Sequence, residues 1–349
     1  MRRRAYKPIQ PRLSLEMPKI VQHQRLPYDG QVSIERLFEE IRNHLPEECS
    51  VKVATSPLPS KGLWPRVKNV FYARRQQAAV HHIIGDVHYL AFGLPPQRTV
   101  LTIHDCATLK RLKSWKRAIF RYFWFTGPMR RAAVVTTISG TTKNELHQWV
   151  GSLADKVVVI PNCVRSEFTP NSKPFNQEAP IVLQVGTGWN KNVERVAQAL
   201  HGTGCQLEIV GKLTTAQRSA LEASGVTFRE LGKLSDVLLV AAYQRCDILI
   251  FASLYEGFGL PILEAQAVGR PVITSNLSSM PEAAGAGALF VDPLNVQDIH
   301  SAVQRLLHEP LLREELVRRG LDNVAKYRPE AIARHYAQIY RMLPSEIHT

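Results

Sequence analysis

The 349-residue chain lacks the features that would place it in several large classes. No uninterrupted apolar stretch approaches the ~18 residues of a membrane-spanning helix, so no segment is expected to cross a bilayer. The first residues, Met1-Arg2-Arg3-Arg4 and the polar, proline-containing stretch after them, carry no apolar segment of signal-peptide kind. The five cysteines (Cys49, Cys106, Cys163, Cys205, Cys246) are odd in number, far apart and without a Cys-x-x-Cys pair. That excludes a disulfide framework and a cysteine-rich zinc site, and makes reduced thiols in a cytoplasmic chain the expectation. Asp-x-Asp, His-Glu-x-x-His, Gly-x-x-x-x-Gly-Lys-Ser/Thr and Gly-x-Ser-x-Gly are all absent, as are repeats and low-complexity tracts. Neither a divalent metal nor a resident cofactor is expected.

What is present is globular. With 45% hydrophobic residues, 21% charged and 20 glycines, the chain can bury substantial cores, and its length suits two domains. The net charge of +14 is unevenly placed: residues 1–170 hold 27 Lys and Arg against 12 Asp and Glu, and residues 171–349 hold 17 against 18. A basic surface on one half raises the local concentration of an anionic partner, whether nucleic acid, anionic lipid or a phosphorylated substrate.

From Pro180 onward, short β-branched runs alternate with helical patterns, as in βαβ units with a buried parallel sheet. The expected strands are Ile181–Val185, Gln206–Val210, Val226–Leu231, Asp247–Ala252, Pro271–Thr274 and Ala288–Val291. A helix over 295–307 is capped by Asn295. The first half alternates less regularly, with strands expected at Lys19–His23, Ser50–Thr55, Val87–Leu90, Thr99–His104, Val134–Ile138 and Lys156–Ile160 and helices near 32–45, 114–125 and 139–149. The pattern predicts an α/β architecture: a basic arm over 1–18, a Rossmann-like domain over 19–168, a proline-rich linker over 169–180, a second Rossmann-like domain over 181–329, and a C-terminal helix over 330–349 that crosses back to the first domain. Two doubly wound domains in tandem bring their ligand-binding edges face to face across a cleft, the arrangement of a two-substrate enzyme.

The most informative stretch runs from Asp247 to Gly269, where a buried strand enters a turn carrying Glu256, Gly257 and Gly259 and a helix begins near Leu260. Unpaired amides at a helix start attract anions, and glycines clear space for a phosphate. Glu264, one turn into that helix, is placed to accept hydrogen bonds from vicinal hydroxyls, while Glu256 faces whatever lies beyond the phosphates.

The run Ser253-Leu-Tyr-Glu256-Gly257-Phe258-Gly259-Leu260-Pro-Ile-Leu-Glu264-Ala resembles the donor-binding motif of family-four retaining glycosyltransferases of the GT-B fold. Ile160-Pro-Asn162-Cys-Val164, Val185-Gly186-Thr-Gly-Trp-Asn-Lys191-Asn192, Val210-Gly-Lys212, Ser275–Glu282 and Val291-Asp-Pro293 are similar to that family's segments and fall in its order, so the likeness covers most of 157–307. The resemblance implies a metal-independent hexosyltransferase acting in polysaccharide biosynthesis, with a UDP- or GDP-linked nucleotide sugar as donor and a glycan or lipid-linked glycan as acceptor. It implies that Glu264 binds the donor ribose, Glu256 the transferred sugar, and the amides of Gly257, Phe258, Gly259 and Leu260 the diphosphate. Gly186 and Asn162 join the donor site, and Lys191 supplies a cation, with Lys212 as helper. Where the family carries an Arg beside that Lys, this chain has Asn190, and its Gly-rich turn after the first strand is reduced to Leu26-Pro-Tyr-Asp-Gly30-Gln. A GT-B sugar-nucleotide epimerase or hydrolase, and a non-catalytic basic binding protein, are the competing readings.

In the first half, Thr99-Val-Leu-Thr-Ile-His104-Asp105 is an apolar strand ending in ionisable residues at the ligand edge of a sheet. By resemblance His104 is the cleft histidine that contacts the donor sugar. Ser139 is either a helix cap or a site residue. Residues 109–131 carry eight basic residues, several aromatics and no acid. Lys110, Arg111, Lys113, Lys116 and Arg117 thus point to a peripheral element on an anionic membrane surface, the inner face, or to a patch for a lipid-linked acceptor; an ordinary helix with core aromatics explains the pattern equally. No nucleic-acid partner is expected, since no binding module accompanies the charge.

Overall fold

A computed structural model describes residues 18–27 and 33–343; the basic arm, apart from Pro18, residues 28–31 of the Leu26–Gln31 turn and residues 344–349 of the expected C-terminal helix lie outside them. The chain divides into two compact units, one of 1–137, 143–160 and 332–349 and the other of 138–142 and 161–331. The C-terminal helix, Pro329–Met342, thus contributes most of its length to the first unit.

The first unit holds a six-stranded parallel sheet of β1 (Ile20–Gln24), β2 (Val51–Thr55), β3 (Val80–Ile83), β4 (Thr99–Ile103), β5 (Val134–Thr137) and β6 (Val157–Val159), in the order β2-β1-β3-β4-β5-β6. One expectation fails here. Val87–Leu90 is not a strand: His88–Phe92 forms a 3-10 turn, and the strand that pairs with β1 and β4 is Val80–Ile83. Its sequence, Val-His-His-Ile, breaks the apolar run, but the fold satisfies both imidazoles. His82 is fully buried, with Nδ1 2.7 Å from the Tyr340 hydroxyl and Nε2 2.7 Å from the Thr102 hydroxyl. His81 Nδ1 lies 3.0 Å from His23 Nε2. Burial lowers the pKa of His82 to about 3 and that of His81 to about 4. The C-terminal helix completes this core with Tyr336 and Tyr340, both buried.

The second unit has a sheet of β7 (Ile181–Val185), β8 (Gln206–Val210), β9 (Thr227–Gly232), β10 (Ile248–Phe251), β11 (Val272–Ser275) and β12 (Leu289–Val291), parallel throughout, in the order β12-β11-β10-β7-β8-β9. Buried strands of β-branched residues covered on both faces by helices account for this pattern. Asn295 caps the helix Val296–His308 by accepting from the amides of Gln297 and Asp298. In both sheets the strand order reverses direction at one place, between β1 and β3 in the first and between β7 and β10 in the second. Ligands of doubly wound sheets bind outside the carboxyl ends of the strands at these reversals.

Candidate active site

In the second unit the residues after β7 and after β10 meet at the reversal. Gly186 follows β7 with φ 92°, a left-handed conformation, and a Cβ there would lie 2.8 Å from Lys191 Cε. Glycine therefore does two things: it permits the turn and it leaves a channel for the lysine side chain. Lys191 Nζ donates to Glu256 Oε1 at 2.7 Å and lies 4.3 Å from the centre of the Phe251 ring, so the cation is held by a carboxylate and an aromatic face. Asn190 reinforces the same loop: its Nδ2 donates to the Tyr255 carbonyl at 2.8 Å and to Glu256 Oε1 at 3.0 Å, and its carbonyl accepts from the amide of Leu254 at 2.7 Å. Asn192, left-handed at φ 57°, ties the β10 loop to the loop after β12 by donating to the carbonyls of Ala252 (3.1 Å) and Pro293 (2.7 Å).

The Glu256–Gly259 turn is held from its other side by serines. The Ser278 hydroxyl donates to the Glu256 carbonyl at 2.6 Å and the Ser279 hydroxyl to the Phe258 carbonyl at 2.9 Å, so the carbonyls are engaged. Gly259 (φ 112°) heads the helix Leu260–Ala267 without a side-chain cap, and the Phe258 side chain is core. Glu264 Oε2 accepts from the Tyr243 hydroxyl at 2.6 Å. Burial raises the pKa of Glu264, opposed by that hydrogen bond and by the nearby charges of Arg165 and Lys191. The structure thus brings Gly186, Lys191, Glu256, Gly257, Gly259, Leu260 and Glu264 into one neighbourhood. Lys212 is exposed after β8, its carbonyl accepting from Thr187 at 2.8 Å, and Asn162 is buried in the segment after β6. Ser139 accepts from the amide of Thr142 at 3.0 Å, as a cap does, and its hydroxyl donates to the Gly257 carbonyl at 2.9 Å.

In the first unit, His104 at the end of β4 hydrogen-bonds through Nε2 to the Ile84 carbonyl at 2.8 Å. A carbonyl only accepts, so Nε2 carries the proton and Nδ1 is left as an acceptor. Burial lowers the pKa of His104, which keeps the ring neutral. Asp105 Oδ1 accepts from the Ala107 amide at 2.8 Å. Both residues line a polar pocket of about 380 Å³ with Arg25 from the end of β1 and Asp86 and His88 from the segment after β3. Asp86 Oδ1 accepts from the Trp124 indole at 2.9 Å; the carboxylate has an accessible edge, yet the crowded walls strip enough solvent to raise its pKa. Arg25 pairs with Glu35 at 2.9 Å. Asp86 and His88 escaped the sequence reading because β3 did, the signal being a Gly-Asp dipeptide, Gly85-Asp86, at the end of an apolar run interrupted by histidines; Arg25, just after β1, carried no motif that marked it.

The basic stretch separates into parts. Lys110 is tied to Glu145 at 2.5 Å, and Arg117 donates to the Leu112 carbonyl at 2.8 Å and packs over Trp149. Arg111, Lys113 and Lys116 are exposed. The single helix expected over 114–125 is instead an α-helix, Ser114–Arg121, followed by a π-turn, Tyr122–Thr126, which turns Trp124 and Phe125 inward and leaves Trp115, Ile119, Tyr122 and Phe123 on the surface. No described helix is long and apolar enough to cross a membrane.

Residues 31–168 match the family model described as Glycosyltransferase Family 4, and residues 165–322 match the one described as Glycosyl transferases group 1. The chain belongs to this glycosyltransferase family, with the GT-B fold. As a glycosyltransferase it is 25% identical over 311 residues to the O-antigen chain mannosyltransferase B of Escherichia coli, across 80% of this chain and 78% of that protein. It is 36% identical over 259 residues to a serotype-specific mannosyltransferase WbdA of Escherichia coli, across 66% of this chain; it spans only about a third, 32%, of WbdA. In fold it matches Anabaena HepE, crystallised with UDP and glucose, at a TM-score of 0.75 with 16% identity, covering 92% of this chain and 99% of that one.

Proposed function

We propose that the enzyme transfers a hexose of glucose or mannose type from a UDP- or GDP-linked sugar to a hydroxyl of a glycan or lipid-linked glycan, with retention of configuration and without a divalent metal. The observation that carries this reading is the Lys191–Glu256 pair, beside the uncapped start of helix Leu260–Ala267, at the reversal of the second sheet. A lysine already desolvated by Gly186 and Phe251 needs little reorganisation to meet a diphosphate, and the amides of Phe258 to Leu260 add the partial positive charge of a helix start. Glu264, its second oxygen fixed by Tyr243, accepts from the donor ribose. When Lys191 turns to the diphosphate, Glu256 is released toward the sugar hydroxyls and supports the oxocarbenium-like transition state, while the leaving phosphate takes the acceptor proton. Charge on that phosphate is stabilised by preorganised dipoles and Lys191 in the role that a metal plays elsewhere. In the first unit's polar pocket, neutral His104 keeps Nδ1 as an acceptor for a sugar hydroxyl. The names of the O-antigen mannosyltransferase relatives favour mannose and a role in polysaccharide assembly.

Thermal shift against a panel of UDP- and GDP-sugars identifies the donor, since a native-state ligand raises the midpoint with occupancy. Glu256→Ala is expected to abolish transfer with the fold intact. Donor turnover that is equal with and without acceptor would replace transfer by epimerisation or hydrolysis.

A further inference from the structure

The first unit carries a concave apolar face. Leu63, Val67 and Phe71 of the helix Leu63–Arg74, a helix that the sequence pattern did not reveal, line a groove of about 690 Å³ together with Trp115, Ile119 and Phe123. Leu63 is 71% exposed, Phe71 57%, Trp115 67% and Ile119 52%, more wet hydrocarbon in one place than a scatter of surface residues provides. Phe120 and Trp124, stacked with ring centres 4.9 Å apart, also line this groove. They serve the polar pocket as well: Phe120 lines it, and Trp124 donates to Asp86. One aromatic layer therefore separates His104 and two carboxylates from the groove. Its lining includes the cations Arg66 and Lys116, and no acidic residue occurs from 106 to 144.

We propose that this groove holds the hydrocarbon chain of a phosphate-linked lipid acceptor, whose saccharide head reaches the polar pocket past Phe120 and whose phosphate meets Lys116. The proposal rests on the acceptor reading above and specifies it. Side chains of two helices, Leu63–Arg74 and Ser114–Arg121, line this concave volume, which suits a hydrocarbon chain, and the cations Arg66 and Lys116 in the lining complement a phosphate at the chain's end. Because the dividing wall is one ring thick, the saccharide between phosphate and reacting hydroxyl is short.

The test is calorimetric titration of the full chain with monomeric hexyl, octyl and decyl phosphate, with inorganic phosphate and decyl maltoside as separate arms. Each buried methylene tightens binding about fourfold, so each two-carbon step is expected to give about 15-fold. Decyl maltoside, lacking the anion, binds at least about tenfold more weakly than decyl phosphate, as expected for loss of a charge-assisted contact. Phe71→Ser with Ile119→Ser, both at exposed positions, flattens the series while the thermal midpoint stays in place. A flat series in the native protein, a steep series that survives in the double variant, or binding only to vesicles of anionic lipid and not to monomers would each overturn the proposal. These readouts contain no sugar transfer, so a failed nucleotide-sugar panel would refute the donor reading and leave this result standing.

Discussion

Gly186→Ala tests the construction of the donor site without removing any charge from it. The substitution meets two costs. Alanine at φ 92° is strained by about 1–2 kcal/mol. Its Cβ would also stand 2.8 Å from Lys191 Cε, and since that carbon belongs to a flexible side chain, relief comes by moving the lysine. The movement breaks the 2.7 Å bond to Glu256, an ion pair whose side chains are only 18% and 15% exposed, at about 1.5–3 kcal/mol for a hydrogen bond between charged groups. Gly202→Ala is the matched control: its φ is 71° and nothing lies within 4 Å of an added Cβ, so it carries the strain alone. The difference between the two variants therefore isolates the lysine, and at roughly 2–4 °C per kcal/mol for a unit of this size it amounts to about 3–12 °C in the thermal midpoint. Displacing Lys191 also withdraws its contact to the diphosphate, so donor Kd rises by about 10–150-fold in Gly186→Ala and not in Gly202→Ala. Equal midpoints and equal donor affinities in the two variants would refute the reasoning.

Tyr243→Phe removes the 2.6 Å hydrogen bond to Glu264. The loss costs about 1.5–3 kcal/mol where Glu264 is ionised and about 0.5–1.5 kcal/mol where it is protonated, so denaturant titration across a pH series is expected to show a destabilisation that shrinks as pH falls and Glu264 takes up its proton, a step that burial moves upward. His82 and His81, buried and neutral with pKa values lowered to about 3 and about 4, contribute stability that is complete above the unfolded value near 6.5 and is lost as pH falls toward those values. Each then costs about 1.4 kcal/mol per pH unit, or about 2 kcal/mol at pH 5, and the urea midpoint of a His82→Asn variant should fall less between pH 7 and pH 5 than that of the native protein. Asn190→Ala frees Glu256 from one donor and cuts the tie to the Tyr255 carbonyl. Transfer kinetics should show kcat lowered with a small change in donor KM, because Asn190 acts through the loop and Lys191 keeps its reach.

The second sheet was legible because its strands are short, mainly apolar runs rich in β-branched residues: Ile181–Val185 and Gln206–Val210 have the bounds that the pattern suggests. The first sheet was less so, for a physical reason that differs at each failure. At Val80–Ile83 polar side chains occupy strand positions because distant residues supply their hydrogen bonds, Tyr340, some 260 residues away, to His82 and His23 to His81, and no local pattern carries that information. Helix Leu63–Arg74 has Pro65 in its first turn and exposed apolar residues on its outer side, so its periodicity does not mark a buried face. The π-turn at Tyr122–Thr126 shifts the aromatic register by one residue and divides a stretch that reads as one amphipathic helix. In the donor site the charged and glycine residues stood out in sequence, whereas the Lys191–Glu256 pair and the serine anchors Ser278 and Ser279 depend on loops from different strands.

The most direct test is a crystal structure of the enzyme with a bound nucleoside diphosphate. The account predicts the diphosphate within hydrogen-bonding distance of Lys191 Nζ and the amides of Phe258 to Leu260, the ribose on Glu264, and Lys191 drawn away from Glu256. A nucleotide bound elsewhere, with the Lys191–Glu256 pair untouched, would contradict it.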